Sequence, residues 1–158
     1  MTFQEITDTL QKKFGEAVVL VKADAAVDPF IVVAPQAIAE IALFLRDDPA
    51  MQFDYLSCLS GVDRKGTLEV VYHLASMTLR HKLVVKVSVP VDHPEVPTVE
   101  GVWKTANWHE REAFDLLGIV FTGHPDLRRI LLPYDWEGYP LRKDYEVQEF
   151  YNGMRVPY

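Results

Sequence analysis

Apolar positions recur at helical spacing from the start of the chain. Phe3, Ile6, Leu10 and Phe14 lie on one face and predict a helix over 2–14. Thr2 caps it, Glu5 completes a capping box, and Gly15 ends it. A short strand over 17–22, a loop over 23–29 and an apolar run over 30–33 follow. Ile38, Ile41, Ala42 and Leu45 then mark a second helix over 35–48, with Pro35 in its first turn. In the middle of the chain the period changes to two. Phe53, Tyr55, Ser57 and Leu59 alternate with Asp54, Leu56 and Cys58. After a turn over 63–66 come Leu68, Val70, Tyr72 and Leu74. After a second turn near Ser76 and Met77 come Leu83, Val85, Val87 and Val89. These runs predict a three-strand antiparallel meander with one buried face. With its leading helices, the chain reads as an α+β fold: an antiparallel sheet meander with helices packed on one face.

Beyond the meander, residues 90–97 form a loop with three prolines. Val99, Val102, Trp103 and Ala106 suggest a short helical stretch capped by Thr98. Asn107 reads as the cap of a third helix running to about Leu117, with Glu110 as its capping-box partner and Gly118 as its stop. Arg111 and Asp115 are placed there as an i,i+4 pair. From Gly123 onward the periodicity ends, and Pro125, Pro133, Pro140 and Pro157 interrupt any long element. The expected organisation is an α+β body over 1–122 and an extended, irregular C-terminal docking segment of the same domain over 123–158.

That segment is not composed like a linker. It carries seven of the chain's 18 aromatics: Tyr134, Trp136, Tyr139, Tyr145, Phe150, Tyr151 and Tyr158. A disordered tail would be depleted in them. Charges alternate closely with the rings, through Glu110, Arg111, Glu112, Asp115, Arg128, Arg129, Asp135, Glu137, Arg142, Lys143 and Asp144. Aromatics and arginines dominate protein–protein hot spots, so the segment reads as a docking surface. Glu110, Arg111, Asp115, His124, Arg128 and Arg129 are close enough in sequence to form a partly buried network that orients the loop after the helix.

Composition narrows the function classes. A net charge of −7 lacks the basic footprint of nucleic-acid binding. The one cysteine, Cys58, can form no intrachain disulfide and cannot hold an iron–sulfur cluster; it reads as a buried, inert thiol. His109-Glu110 opens like a metalloprotease motif, but residue 113 is Ala, so the zinc spacing fails. No glycine-rich phosphate loop or nucleophile elbow is present. No run reaches the roughly 20 apolar residues of a membrane span. The polar N-terminal residues lack the apolar core of a signal peptide. A free-standing enzyme using Glu110, Arg111, Asp115 and His124 would need a deep cleft around them.

The run over 110–132 resembles the signature of the 30-kilodalton subunit family of NADH:quinone oxidoreductase (respiratory complex I), the C subunit of that complex. The match is Glu110-Arg111-Glu112, Asp115, Leu116-Leu117, His124, Arg128, Ile130 and Leu132, and it continues through LLPYDWEGYPLRKDY. The resemblance implies a place in the hydrophilic arm, peripheral on the cytoplasmic side of the bacterial inner membrane. It implies packing against the D subunit, which with the B subunit forms the quinone-reducing site. It also implies no cofactor in this chain, FMN and iron–sulfur clusters being carried by partner subunits. No fused D-subunit region follows, so the separate-subunit form is expected. Candidate interface residues are Glu110, Arg111, Asp115, His124, Arg128, Arg129, Tyr134, Trp136, Arg142, Asp144 and Tyr145. A homologous subunit of a membrane-bound nickel–iron hydrogenase or of a ferredoxin-fed complex is the alternative.

Overall fold

The computed structural model describes residues 1–25 and 27–156; Pro157 and Tyr158 lie outside the described residues. The first helix, α1 (Phe3–Phe14), has the capping box expected of it: the Thr2 hydroxyl accepts from the Glu5 amide, and the Glu5 carboxylate accepts from the Thr2 amide. Strands β1 (Val18–Lys22) and β2 (Phe30–Val33) lead into a single 3₁₀ turn, Pro35–Ala37, and then α2 (Ile38–Asp47). The meander follows as β3 (Tyr55–Asp63), β4 (Thr67–Ala75) and β5 (Lys82–Pro90). Strands β1 and β2 join it to give a five-stranded sheet in the order β1-β2-β5-β4-β3. All pairings are antiparallel except β2 with β5, which is parallel.

The inward sets of β4 and β5 are those the alternation predicts. Leu68, Val70, Tyr72 and Leu74 pack with Leu83, Val85, Val87 and Val89 in one core that also takes Ile6, Leu10, Ile41 and Leu45 from the helices. The phase of β3 differs. A bulge between Leu56 and Cys58 inserts Ser57 as an extra residue. Leu56 and Leu59 therefore both face inward, while Tyr55 is exposed. A one-residue slip exchanges the faces of a strand, so strict alternation misassigns it. Cys58 is half-buried rather than buried, and its Sγ lies 3.2 Å from the Ser60 Oγ.

Three further expectations are corrected. Residues 90–97 are not all loop, since β6 (Glu95–Pro97) pairs in parallel with β7 (Val120–Thr122). Strands of three residues, interrupted by prolines, are too short to show a period. The helical pattern around Val99 makes only turns, closed by Val102 and Trp103 amides on the Val99 carbonyl. The third helix, α3 (Ala106–Leu117), begins before Asn107, so neither Asn107 nor Glu110 caps it. At Gly61 on β3, a Cβ would lie 2.4 Å from the Leu117 side chain and press on Ile119 at 3.3 Å. The missing Cβ is what lets α3 and the chain after it settle onto β3. After Thr122 the only regular structure among the described residues is the two-residue hairpin of β8 (Phe150–Tyr151) and β9 (Met154–Arg155).

Candidate docking site built on the third helix

Helix α3 carries two buried carboxylates that hold two different loops. Glu110 reaches back to the turn before the helix. Its Oε1 accepts from the Val99 amide (2.8 Å) and its Oε2 from the Thr98 hydroxyl (2.5 Å). Burial pushes its pKa up to about 7, against the lowering effect of those two hydrogen bonds. His124 lies 3.9 Å away. Its Nδ1 faces the Asp126 amide (3.0 Å) and its Nε2 the Asn107 carbonyl (3.1 Å). An amide can only donate and a carbonyl can only accept, so these contacts call for a proton on Nε2 and a lone pair on Nδ1. His124 therefore pins the loop after β7 to the start of α3.

Asp115 reaches forward. Its Oδ2 accepts from three consecutive amides, Ile130 (3.0 Å), Leu131 (2.7 Å) and Leu132 (2.9 Å). Its Oδ1 takes the Arg129 guanidinium at 2.8 Å. Burial raises its pKa, but the donations from Leu132, Leu131, Arg129 and Ile130 outweigh this and hold it below the usual range. The expected Arg111–Asp115 pair does not form. Asp115 turns to the 129–132 bend, and Arg111 donates instead to the carbonyls of Arg128 (3.2 Å) and Arg129 (3.4 Å). Three amides and a guanidinium satisfy a buried carboxylate better than one i,i+4 partner on the helix surface.

The C-terminal end of α3 completes the fastening. The Leu141 amide donates to the Leu116 carbonyl (3.0 Å), and the Arg142 Nε to the Leu117 carbonyl (2.6 Å). Two of the end carbonyls that a helix leaves open are thus filled by the tail. Gly118 stops the helix at φ 73°. A Cβ there would lie 2.6 Å from the Tyr139 ring and 2.8 Å from the Arg142 Nη2. Arg129 extends the ties through the carbonyls of Trp136 and Gly138, both at 3.0 Å. Trp136 donates to the Tyr145 hydroxyl (3.1 Å) and packs on Tyr151 at 5.2 Å between centroids.

The sequence-predicted residues thus separate into two groups. Glu110, Arg111, Asp115, His124, Arg129 and Arg142 spend their polar groups inside the chain. Glu110 and Asp115 are fully buried in it, so they offer no surface of their own. They are joined to backbone, to Thr98 and to Arg129. Trp136 and Tyr145 are half-buried, Arg128 is exposed with its guanidinium on Asp126, and Asp144 is exposed. Tyr134 is 92% exposed, and Leu141, Phe150 and Met154 are also exposed. On the outer side of α3, Trp108 is 68% exposed. Sequence reasoning missed Thr98, Tyr139 and the close approach at Gly118. One signal was available for Asp115. An acidic residue in the last turn of a helix opposes the helix dipole, so it needs other donors.

Residues 31–151 match the family model described as respiratory-chain NADH dehydrogenase, 30 Kd subunit. The chain belongs to this family. It is 52% identical over 151 residues to the NADH-quinone oxidoreductase C subunit of Chloroherpeton thalassium, covering 94% of this chain and 63% of that one. It is 50% identical over 154 residues to the corresponding C subunit of Chlorobium phaeobacteroides, covering 96% and 93%. Among solved structures, a trypsin-resistant fragment of Nqo5 superposes with a TM-score of 0.65 at 30% identity, covering 80% of this chain and all of the fragment. A chain of an archaeal membrane-bound sulfane sulfur reductase shares the fold, with a TM-score of 0.69 at 24% identity over 90% of this chain and 85% of that one. The family is that of a complex I subunit, so its members' partners are other subunits of the complex. No described helix is long and apolar enough to cross a membrane.

Proposed function

We propose that this chain is a structural subunit of the hydrophilic arm of a proton-translocating NADH:quinone oxidoreductase. In this reading it supplies no flavin, iron–sulfur cluster or catalytic group, and it sits on the cytoplasmic side of the membrane. The segment over 123–158 seats it against the D subunit and, with it, the B subunit. One observation carries the reading. Buried polar groups of α3 fasten an otherwise irregular aromatic segment to the body, yet Tyr134, Leu141 and Phe150 remain outside. A chain that fixes backbone so firmly while leaving large apolar side chains in water is shaped for a partner. Affinity purification of the tagged chain in mild detergent tests it. Recovery of the B and D subunits with the wild-type chain, and their loss on deleting residues 123–158, is the expected result. Retention of both after the deletion overturns the assignment.

A nickel–iron hydrogenase or ferredoxin-fed complex is the second reading. The occurrence of this fold in a sulfane sulfur reductase shows that the scaffold is not confined to one kind of complex. The genes beside this one discriminate. An NADH-binding subunit in the same operon supports the first reading, and a large subunit with nickel ligands supports the second.

A further inference from the structure

The loop after β7 is held by one ring, and that ring can change its proton count. The His124 side chain is wholly buried. Its Nδ1 meets the Asp126 amide (3.0 Å) and its Nε2 the Asn107 carbonyl (3.1 Å). Both contacts are made only while Nδ1 keeps its lone pair. The turn they close aims Asp126. Its carboxylate holds the Arg128 Nε at 2.9 Å and lies 3.8 Å from the Arg111 guanidinium, and its carbonyl accepts from the Arg128 amide (3.1 Å). Asp126 thus links the His124 turn to the bend that Arg111 and Asp115 fasten.

Carboxylates face the ring from three sides. Glu110 on α3 stands 3.9 Å away. Behind it, Tyr72 of β4 is within reach of the Glu110 charge, and its hydroxyl is buried without a partner among the described residues. Glu100, in the turn before α3, and Asp126, in the ring's own loop, lie within coulombic reach of the ring. Their nearby cations are engaged: Lys104 with Glu100, Arg128 and Arg111 with Asp126. The three carboxylates differ in acid. Glu110, pushed up to about 7 by burial, gives up its charge as pH falls. Glu100 and Asp126, held below the usual range by Lys104 and by Arg128, keep theirs and would attract a positive ring. The hydrogen bonds of the loop and the charges around it therefore suit two different protonation states of one side chain.

We infer that His124 is an acid-operated latch on the loop over 124–128. A proton taken from water onto Nδ1 turns an acceptor into a donor aimed at the Asp126 amide, which can itself only donate. That contact breaks, and the turn that aims the Asp126 carboxylate at Arg128 and Arg111 opens, while the Nε2 proton keeps its bond to Asn107. Loss of the Nδ1 proton closes the latch again. The latch belongs to this chain alone and does not depend on which partner the tail meets.

Nitrogen-15 NMR of the full chain tests it, in a titration from about pH 8 to about pH 5, the span over which a histidine commonly changes charge. The ring nitrogens should show a proton on Nε2 alone at the upper end, and Nδ1 gaining one toward the lower. The Asp126 amide should lose exchange protection about tenfold with the same midpoint, as for one lost hydrogen bond, while amides of β4 and β5 keep theirs. His124→Asn places a side-chain oxygen where Nδ1 stands and cannot titrate, so its Asp126 amide should show no step. Glu110→Gln should retain the step, because the switching proton sits on the ring. A ring that gains no second proton before the domain unfolds overturns the inference. So does a step that persists in His124→Asn, or one that vanishes in Glu110→Gln and thereby assigns the device to Glu110. Should His124→Asn not fold, the wild-type titration decides alone: separate midpoints for the ring and the Asp126 amide overturn the inference.

Discussion

The body and the tail of this chain are held by different physics. In the body, apolar side chains from strands and helices form one core, and the backbone bonds are those of sheet and helix. In the tail, between Gly123 and Glu149, regular structure is absent. Order there comes from a few polar groups, each serving several backbone atoms or closing a helix end: the buried Asp115 and Arg111 and the half-buried Arg129 and Arg142. Packing is non-directional and tolerates substitution, whereas a polar fastener depends on every partner being present. The tail is therefore specific in shape but fragile, a combination that supports the docking role proposed for it.

The difference can be broken from either side. The largest global effect is expected in the body. Leu83→Ala should destabilise the whole domain by about 3 kcal/mol, read as a lower urea midpoint with an unchanged slope. Asp115→Ala should cost about 3 kcal/mol as well, but locally, because it strands three amides and leaves the largely buried Arg129 without its counter-charge. The tail should loosen while the body's midpoint moves little.

Glu110 separates the two buried carboxylates by pH. Its folded pKa is raised from 4.5 to about 7. Its stabilising contribution is then complete below the unfolded pKa and is lost as pH rises through about 7. The loss amounts to at most about 3–4 kcal/mol at roughly 1.4 kcal/mol per pKa unit. Glu110→Gln keeps the bond from the Val99 amide on its amide oxygen and reverses the Thr98 bond, its amide nitrogen donating to the hydroxyl; carrying no titrating proton, it should give a flatter denaturation profile between pH 4.5 and 7. An unchanged pH slope would show that Glu110 does not titrate in that range. Asp115 has the opposite sign. Its pKa is lowered, so its contribution holds above the unfolded value and disappears in acid.

Gly118→Ala should cost about 1–2 kcal/mol, through a positive φ and a Cβ pressed on Tyr139. Tyr139 fluorescence should report its displacement. Tyr134→Ala, at a 92% exposed site, should change stability by less than about 0.5 kcal/mol. Its effect should appear only in recovery of partner subunits.

Much of the body could be read from the chain because its signals are periodic or local. The Thr2–Glu5 box has a fixed spacing, and the inward sets of β4 and β5 repeat every two residues. The misreadings fall where period fails. A bulge at Ser57 moves Leu56 to the same face as Leu59. Strand β6 is too short to alternate and joins a distant partner, β7. At the candidate site, the sequence marked most of the residues but misassigned their partners. Arg111 and Asp115 are neighbours on the helix, yet each bonds to the 128–132 bend, because backbone in a turn offers donors and acceptors that no helix face can. Gly118 announced a helix end but not the tyrosine ring packed against it.

The separate fastening of the tail is tested most directly by amide hydrogen exchange on the wild-type chain and on Asp115→Ala. Amides at 130–132 and at Leu141 and Arg142 should lose most of their protection in the variant, while those of β4 and β5 exchange at wild-type rates. If protection in β4 and β5 instead falls in step with the tail, body and tail are one cooperative unit, and the contrast between them is contradicted.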